Sequence, residues 1–307
     1  MKAPLCAAVA IVFLATNLRA QTTPSLPWNV KRVRAPQAWK NATGQGVKVC
    51  VLDTGADERH KGLRIAGGYN TFQPNGAFDD RHGHGTHVAG TIAAQDVGKG
   101  VIGIAPDALV YAVKVLNDRG LGSFASIIDG LQWCVENKMD IVNMSLGASQ
   151  TTQAYQEAVE NATAAGLTII AAAGNSGSDS QGRTSVVFPA RYKETIAVAA
   201  SDWHDAVAEF SSRGPQVDFI APGVEIRSTK TGGGYTFKSG TSMAAPHVTG
   251  LVALYLSAGG RRSPEGIRRA LTQSAARFVD VPAEQQGAGM PDALKLTVRT
   301  ETTGRKR

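Results

Sequence analysis

Six short, mostly apolar runs constrain this chain more than any other feature: residues 47–52, 109–115, 140–144, 167–173, 195–199 and 217–220. Each has the length of a buried strand. Helix-patterned stretches at 123–135 and 151–165 lie between them, and an amphipathic stretch at 263–274 follows them. In 123–135, Ser123 is a candidate cap, and Ile127, Ile128, Leu131 and Val135 fall on one side. Strands alternating with helices pair in parallel, and a parallel sheet is covered on both faces. The expected fold is α/β, a mostly parallel central sheet with helices on both faces. At 307 residues the chain can bury a large core, and neither repeat nor linker interrupts residues 21–298.

Open α/β sheets place function at the carboxyl ends of their strands. Asp53-Thr54-Gly55 ends the first run, where an Asx-turn is the bland alternative. Ser145-Leu146-Gly147 ends the third, and Gly174-Asn175 the fourth. A helix of small residues begins near His84, with His82 and His87 beside it. Three histidines so close allow a zinc reading, but no acid or cysteine stands at ligand spacing within that helix, and a general base is the better reading.

In Ser239-Gly240-Thr241-Ser242-Met243-Ala244-Ala245-Pro246-His247, small residues crowd one serine before the apolar run 248–256. Ser242 is expected at the N-terminus of a buried helix, where unpaired N–H groups and the helix dipole favour an oxyanion. Pro246 is expected in the first turn, where its missing N–H costs nothing. The bland alternative is a Ser/Thr cap before a core helix.

Residues 1–20 read as a secretory signal: Lys2, an apolar run too short to span a bilayer, then Leu18-Arg19-Ala20 as cleavage site. Its removal takes Lys2 and Arg19 and lowers the net charge from +7 to +5. That surplus is a solvated face without interleaved aromatics, and no nucleic-acid module is indicated. The implied location is the periplasm or medium, with no membrane anchor after processing. Cys50 and Cys134 remain, either bridged or as two buried thiols. Residues 299–307 form a polar basic tail.

An acid, a histidine, an amide and a serine are the groups that acyl transfer requires. Asp53-Thr54-Gly55, His84-Gly85-Thr86-His87-Val88-Ala89-Gly90, Ala172-Ala173-Gly174-Asn175 and Gly240-Thr241-Ser242-Met243-Ala244-Ala245-Pro246 resemble the four signature blocks of the subtilisin-like serine proteases. They stand in that family's Asp…His…Ser order. The resemblance implies a three-layer subtilisin-like sandwich and a secreted, monomeric serine endopeptidase acting on proteins or peptides. It implies Asp53, His84 and Ser242 as the triad and Asn175 in the oxyanion hole, with His87 structural. Gly120-Leu121-Gly122 and Ser145-Leu146-Gly147 match the strands that flank an extended substrate. Ala172, Ala173 and Gly174 match a wall of the primary specificity pocket. Val187, just before Phe188-Pro189, falls near where small residues often leave that pocket open in the family, and it suggests a medium apolar side chain on the acyl side of the cut. A catalytically silent binding scaffold is the alternative, disfavoured because all four groups are retained.

Two departures from the family follow. Its strong calcium site is expected to be absent, because Gly62 and Val97, with Lys99 nearby, stand where oxygen ligands belong. The chemistry itself requires no cofactor. A weaker calcium site, using carbonyls near Pro189–Arg191 and the carboxylate of Asp218, is the remaining metal candidate. The family's inhibitory pro-domain has no room between signal and catalytic domain, so folding without one in cis is expected.

Overall fold

The computed structural model describes residues 26–98, 100–178 and 184–298. The signal at 1–20, Lys99 and the tail at 299–307 lie outside the described residues. Seven strands form one sheet: β1 (Lys48–Asp53), β2 (Ile65–Asn70), β3 (Leu109–Lys114), β4 (Ile141–Met144), β5 (Thr168–Ala172), β6 (Ile196–Ser201) and β7 (Val217–Pro222). Their order is β2-β3-β1-β4-β5-β6-β7, and every pairing is parallel. An antiparallel hairpin, β8 (Ile226–Thr229) and β9 (Tyr235–Lys238), stands apart from it. The helices are α1 (Trp28–Arg32), α2 (Ala35–Ala38), α3 (His84–Ala93), α4 (Phe124–Glu136), α5 (Gln153–Ala164), α6 (Thr241–Ser257), α7 (Pro264–Ser274), α8 (Ala283–Gln286) and α9 (Ala293–Thr297). Among the described residues, no helix is long and apolar enough to cross a membrane.

Side chains alternate along β1 and so assign the helices to faces. Cys50 is bonded to Cys134 of α4, and Leu52 lies against Gly130 of the same helix. Asp53 points the other way, to α3. Helix α5 packs beside α4, and α6 packs beside α3 across β4 to β7. This is the expected three-layer arrangement. Strands β4 and β5 are wholly buried, which is why their runs read as unbroken apolar sequence. Helix α6 is buried on nearly every side and carries no amphipathic stripe.

The Cys50–Cys134 bond closes what the sequence left open. Both residues are fully buried, 84 positions apart, with Cα atoms 6.6 Å apart. The placement of Pro246 is corrected: α6 starts at Thr241, so Pro246 lies inside the helix, beyond its first turn. Its absent N–H would have paired with the carbonyl of Ser242. That carbonyl instead accepts a hydrogen bond from Ser145 Oγ at 2.8 Å.

The chain runs from β1 to β2 and β3 on one side and to β4 through β7 on the other, so the sheet order reverses beside β1. Such a reversal opens a crevice at the carboxyl ends of the strands. Asp53 ends β1, Ser145 follows β4 and Ala173 follows β5, all at that crevice.

Candidate active site

Asp53 is fully buried at the end of β1. Its Oδ1 accepts the Thr54 N–H at 2.7 Å, and Oδ1 and Oδ2 lie 2.8 and 2.9 Å from His84 Nδ1. His84 opens α3, and the turn before it is held by Asp80. Asp80 Oδ1 accepts from Gly83 N (2.7 Å), His82 N (3.0 Å) and Thr54 Oγ1 (2.9 Å). Asp80 Oδ2 accepts from Thr86 N and Oγ1. Thr54 Oγ1 also accepts the Gly85 N–H at 2.9 Å. One buried carboxylate thus ties the end of β1 to the start of α3. Gly85 permits the approach: a Cβ there would lie 2.2 Å from the Gly55 carbonyl.

Ser242 sits in the first turn of α6, where backbone N–H groups lack helical acceptors. Its Oγ donates to the Ser145 carbonyl at 3.1 Å. Ser145, which accepts that bond, lines one cleft together with His84. Asn175 Oδ1 accepts from Thr241 N at 2.9 Å and Thr241 Oγ1 at 3.0 Å. Two donors on the oxygen leave Nδ2 as the outward, donating end of the amide. Thr241 Oγ1 also accepts the Gly174 N–H at 3.1 Å.

Gly120, Leu121 and Gly122 face Ser145, Leu146 and Gly147 across a cleft of about 590 Å³ that His84, Phe124 and Tyr155 also line. Ala172, Ala173 and Gly174 lie on the far side of the Ser145–Gly147 segment, and Val187 stands between the two. Its N–H donates to the Ala173 carbonyl at 2.9 Å. Its side chain presses on both walls: a Cβ added at Gly147 or Gly174 would meet Val187 Cγ2 at 2.4 or 3.1 Å.

The three clustered histidines diverge. His84 faces Asp53, His82 lies against Gly120, and buried His87 places Nε2 2.9 Å from the Ile226 carbonyl. No zinc site is formed by them. Asp218, the metal candidate, does not fit a cation. Its Oδ2 accepts from Ala197 N at 2.8 Å, and the Arg268 guanidinium is paired with Oδ1. Arg268 also donates to the Thr195 carbonyl at 2.7 Å and the Lys193 carbonyl at 3.2 Å, so a fixed positive charge already holds these oxygens. Gly62 and Val97 contribute no side-chain oxygen.

Burial is the largest influence on His84 and opposes its protonation, but the charge and hydrogen bond of Asp53 together outweigh it. The His84 pKa therefore lies above the ordinary histidine value, although Lys238 on β9 pulls against it. Burial lowers the pKa of His87 and of His247 to about 4, despite hydrogen bonds to the carbonyls of Ile226 and Met243. Unfolding lets both protonate near 6.5. Their contribution to stability is complete above that pH and is lost as pH falls toward about 4, at roughly 3 kcal/mol per histidine. The His84–Asp53 pair has the opposite sign: its contribution is present below the ordinary histidine pKa and lost as pH rises through the folded value. Urea unfolding from pH 7 to 4 is expected to show a falling midpoint; a flat profile would count against two neutral buried imidazoles.

The sequence did not reveal Asp80, Thr241 or Lys238 as parts of the site. An acid shortly before a helix and a threonine beside the serine were visible, but the partners that join them to the site, Thr54 for Asp80 and Asn175 for Thr241, lie 26 and 66 positions away.

A family described as the Subtilase family matches residues 44–289. The chain is 43% identical over 260 residues to a thermostable alkaline protease of Halalkalibacterium halodurans, an overlap covering 84% of this chain and 70% of that protein. It is 42% identical over 289 residues to alkaline elastase YaB of a Bacillus species, covering 94% and 74%. It is 46% identical over 237 residues to subtilisin E of Bacillus subtilis, covering 76% of this chain and 61% of that relative's length.

Proposed function

The chain belongs to the subtilase family and is a serine endopeptidase, and from that premise we propose that Asp53, His84 and Ser242 are its triad and Asn175 its oxyanion donor. Ser242 Oγ attacks the scissile carbonyl carbon as His84 Nε2 takes its proton. The Ser242 N–H and Asn175 Nδ2 stabilise the tetrahedral oxyanion. His84 then protonates the departing amine, leaving an acyl-enzyme that water hydrolyses by the same route. Asp53 holds the imidazole with Nδ1–H inward and stabilises its cation. The observation that carries this reading is the Asp53–His84 pair lining one cleft with Ser145, to whose carbonyl Ser242 Oγ donates, beside an amide that Thr241 turns outward.

The substrate lies extended between Gly120-Leu121-Gly122 and Ser145-Leu146-Gly147 and pairs with them as an added strand. The enzyme is secreted and acts without a bound metal. Casein cleavage by the purified protein, with and without a calcium chelator, tests this together with titration by a serine-directed phosphonylating reagent. Chelator-resistant cleavage with one phosphonyl group per chain is expected. A folded protein that neither cleaves nor reacts would be the silent scaffold instead.

Val187 narrows the expectation of a medium apolar side chain. Because it presses on both Gly147 and Gly174, the primary pocket accepts small residues such as alanine on the acyl side of the cut. Val187→Gly is expected to raise kcat/KM for a phenylalanyl substrate about 10–100-fold over an alanyl one. Peptide anilides differing only at that residue measure it, and an unchanged ratio would remove Val187 from the pocket.

A further inference from the structure

Ser145 and Ser242 are joined in both directions. Ser145 Oγ donates to the Ser242 carbonyl at 2.8 Å, and Ser242 Oγ donates to the Ser145 carbonyl at 3.1 Å. The first bond continues inward: Asn143 Nδ2 donates to Ser145 Oγ at 2.9 Å, and Thr249 Oγ1 donates to Asn143 Oδ1 at 2.8 Å. Ser145 is nearly buried and Asn143 and Thr249 fully so, which keeps water from substituting for any member. The chain begins in the first turn of α6 at Ser242, crosses through Ser145 to Asn143 on β4 and returns to α6 at Thr249, two turns on.

Pro246 explains the need for it. A residue there with an N–H would bond the Ser242 carbonyl within the helix. Proline removes that donor, so the Ser242 carbonyl has no i+4 N–H within α6 to pair with, although the Met243 N–H of the same peptide is held by the Gly240 carbonyl at 3.0 Å. We propose that Ser145 is a positioning residue for the nucleophile: its hydroxyl, oriented by Asn143 and Thr249, supplies the hydrogen bond that Pro246 cannot. The Ser145 backbone borders the substrate cleft, and its side chain holds the serine turn. This rests on Ser242 being the nucleophile.

The test is a double-mutant cycle in the full chain, reading kcat, KM and the rate of phosphonylation. Ser145→Ala is expected to lower kcat and the phosphonylation rate about tenfold or more, with KM within about twofold. In a Pro246→Ala background the new N–H reaches the Ser242 carbonyl, and the same substitution is expected to cost less than about threefold. Thr249→Val, at the far end of the chain, gives the same pattern at about threefold and serves if Ser145→Ala does not fold. An equal loss in both backgrounds, a loss confined to KM, or no loss overturns the proposal. Ser242→Ala is run beside them: retained phosphonylation there would instead overturn the assignment of the nucleophile.

Discussion

Ser242→Ala is expected to lower turnover by roughly 10⁶-fold while peptide affinity stays close to that of the parent, on the scale known for subtilisin, a relative. The size follows from what the hydroxyl does. Without it no acyl-enzyme forms, and both His84 and Asp53 lose the proton transfer they serve. Some acceleration over water survives, because Asn175 is oriented by Thr241 and not by Ser242 Oγ. That residue of activity is expected at roughly 10³–10⁴-fold over the uncatalysed reaction. The alanine variant also removes the hydroxyl that donates to Ser145, yet leaves the Ser242 carbonyl and its Ser145 bond in place. Its fold and substrate affinity are therefore expected to persist. Binding of a peptide inhibitor, beside steady-state kinetics, separates lost chemistry from lost structure; wild-type turnover in the variant would move the nucleophile elsewhere.

Asp53→Asn is expected to lower kcat by roughly 10⁴-fold and to move the acid limb of kcat/KM to lower pH. Activity requires neutral His84, so it rises as pH climbs through the folded pKa of that residue. Asp53 is what lifts that pKa above the ordinary value; with the charge removed, burial acts without its main opponent. Two changes therefore separate: the enzyme becomes much slower, yet its remaining activity extends further into acid. The loss of rate has a structural cause as well. Both carboxylate oxygens lie within hydrogen-bond reach of Nδ1, and Thr54 N–H already occupies Oδ1. An asparagine that keeps the Thr54 bond presents its NH₂ to the imidazole, which then favours the wrong tautomer. A pH–rate profile on a small anilide reads both effects. An acid limb that stays in place would show that Asp53 does not set the basicity of His84.

The buried strands were legible because a parallel sheet covered on both faces makes their sequences continuously apolar, as in β4 and β5. The four catalytic candidates were legible because each sits beside glycine at a strand end or helix start. β2 was not legible, since close packing removes its side chains. A Cβ on Gly68 would lie 2.2 Å from the Ala112 carbonyl, and Gly67 rests against the Tyr111 ring. The β8–β9 hairpin is short and lies outside the main sheet, so neither periodicity nor burial marked it. Asp80, Thr241 and the Ser145 hydroxyl escaped notice for another reason. Their value lies in partners up to 97 positions away, and a local reading of Pro246 found no need for such a partner. Val187 was read as leaving room for a medium apolar side chain because its neighbours Gly147 and Gly174, which let it press inward, become adjacent only on folding.

The bond between Cys50 and Cys134 makes a covalent ring of 84 intervening steps. Asp53, His84 and Gly120-Leu121-Gly122 lie inside that ring; Ser145, Asn175 and Ser242 lie outside it. A protease meets its own kind in solution, and positions such as Phe72, Val97 and Leu121 in the ring are exposed. A nick at any of them opens the ring without releasing a fragment. The severed ends stay tethered to the rest of the chain, so the molecule remains one covalent piece after a first cut in the ring.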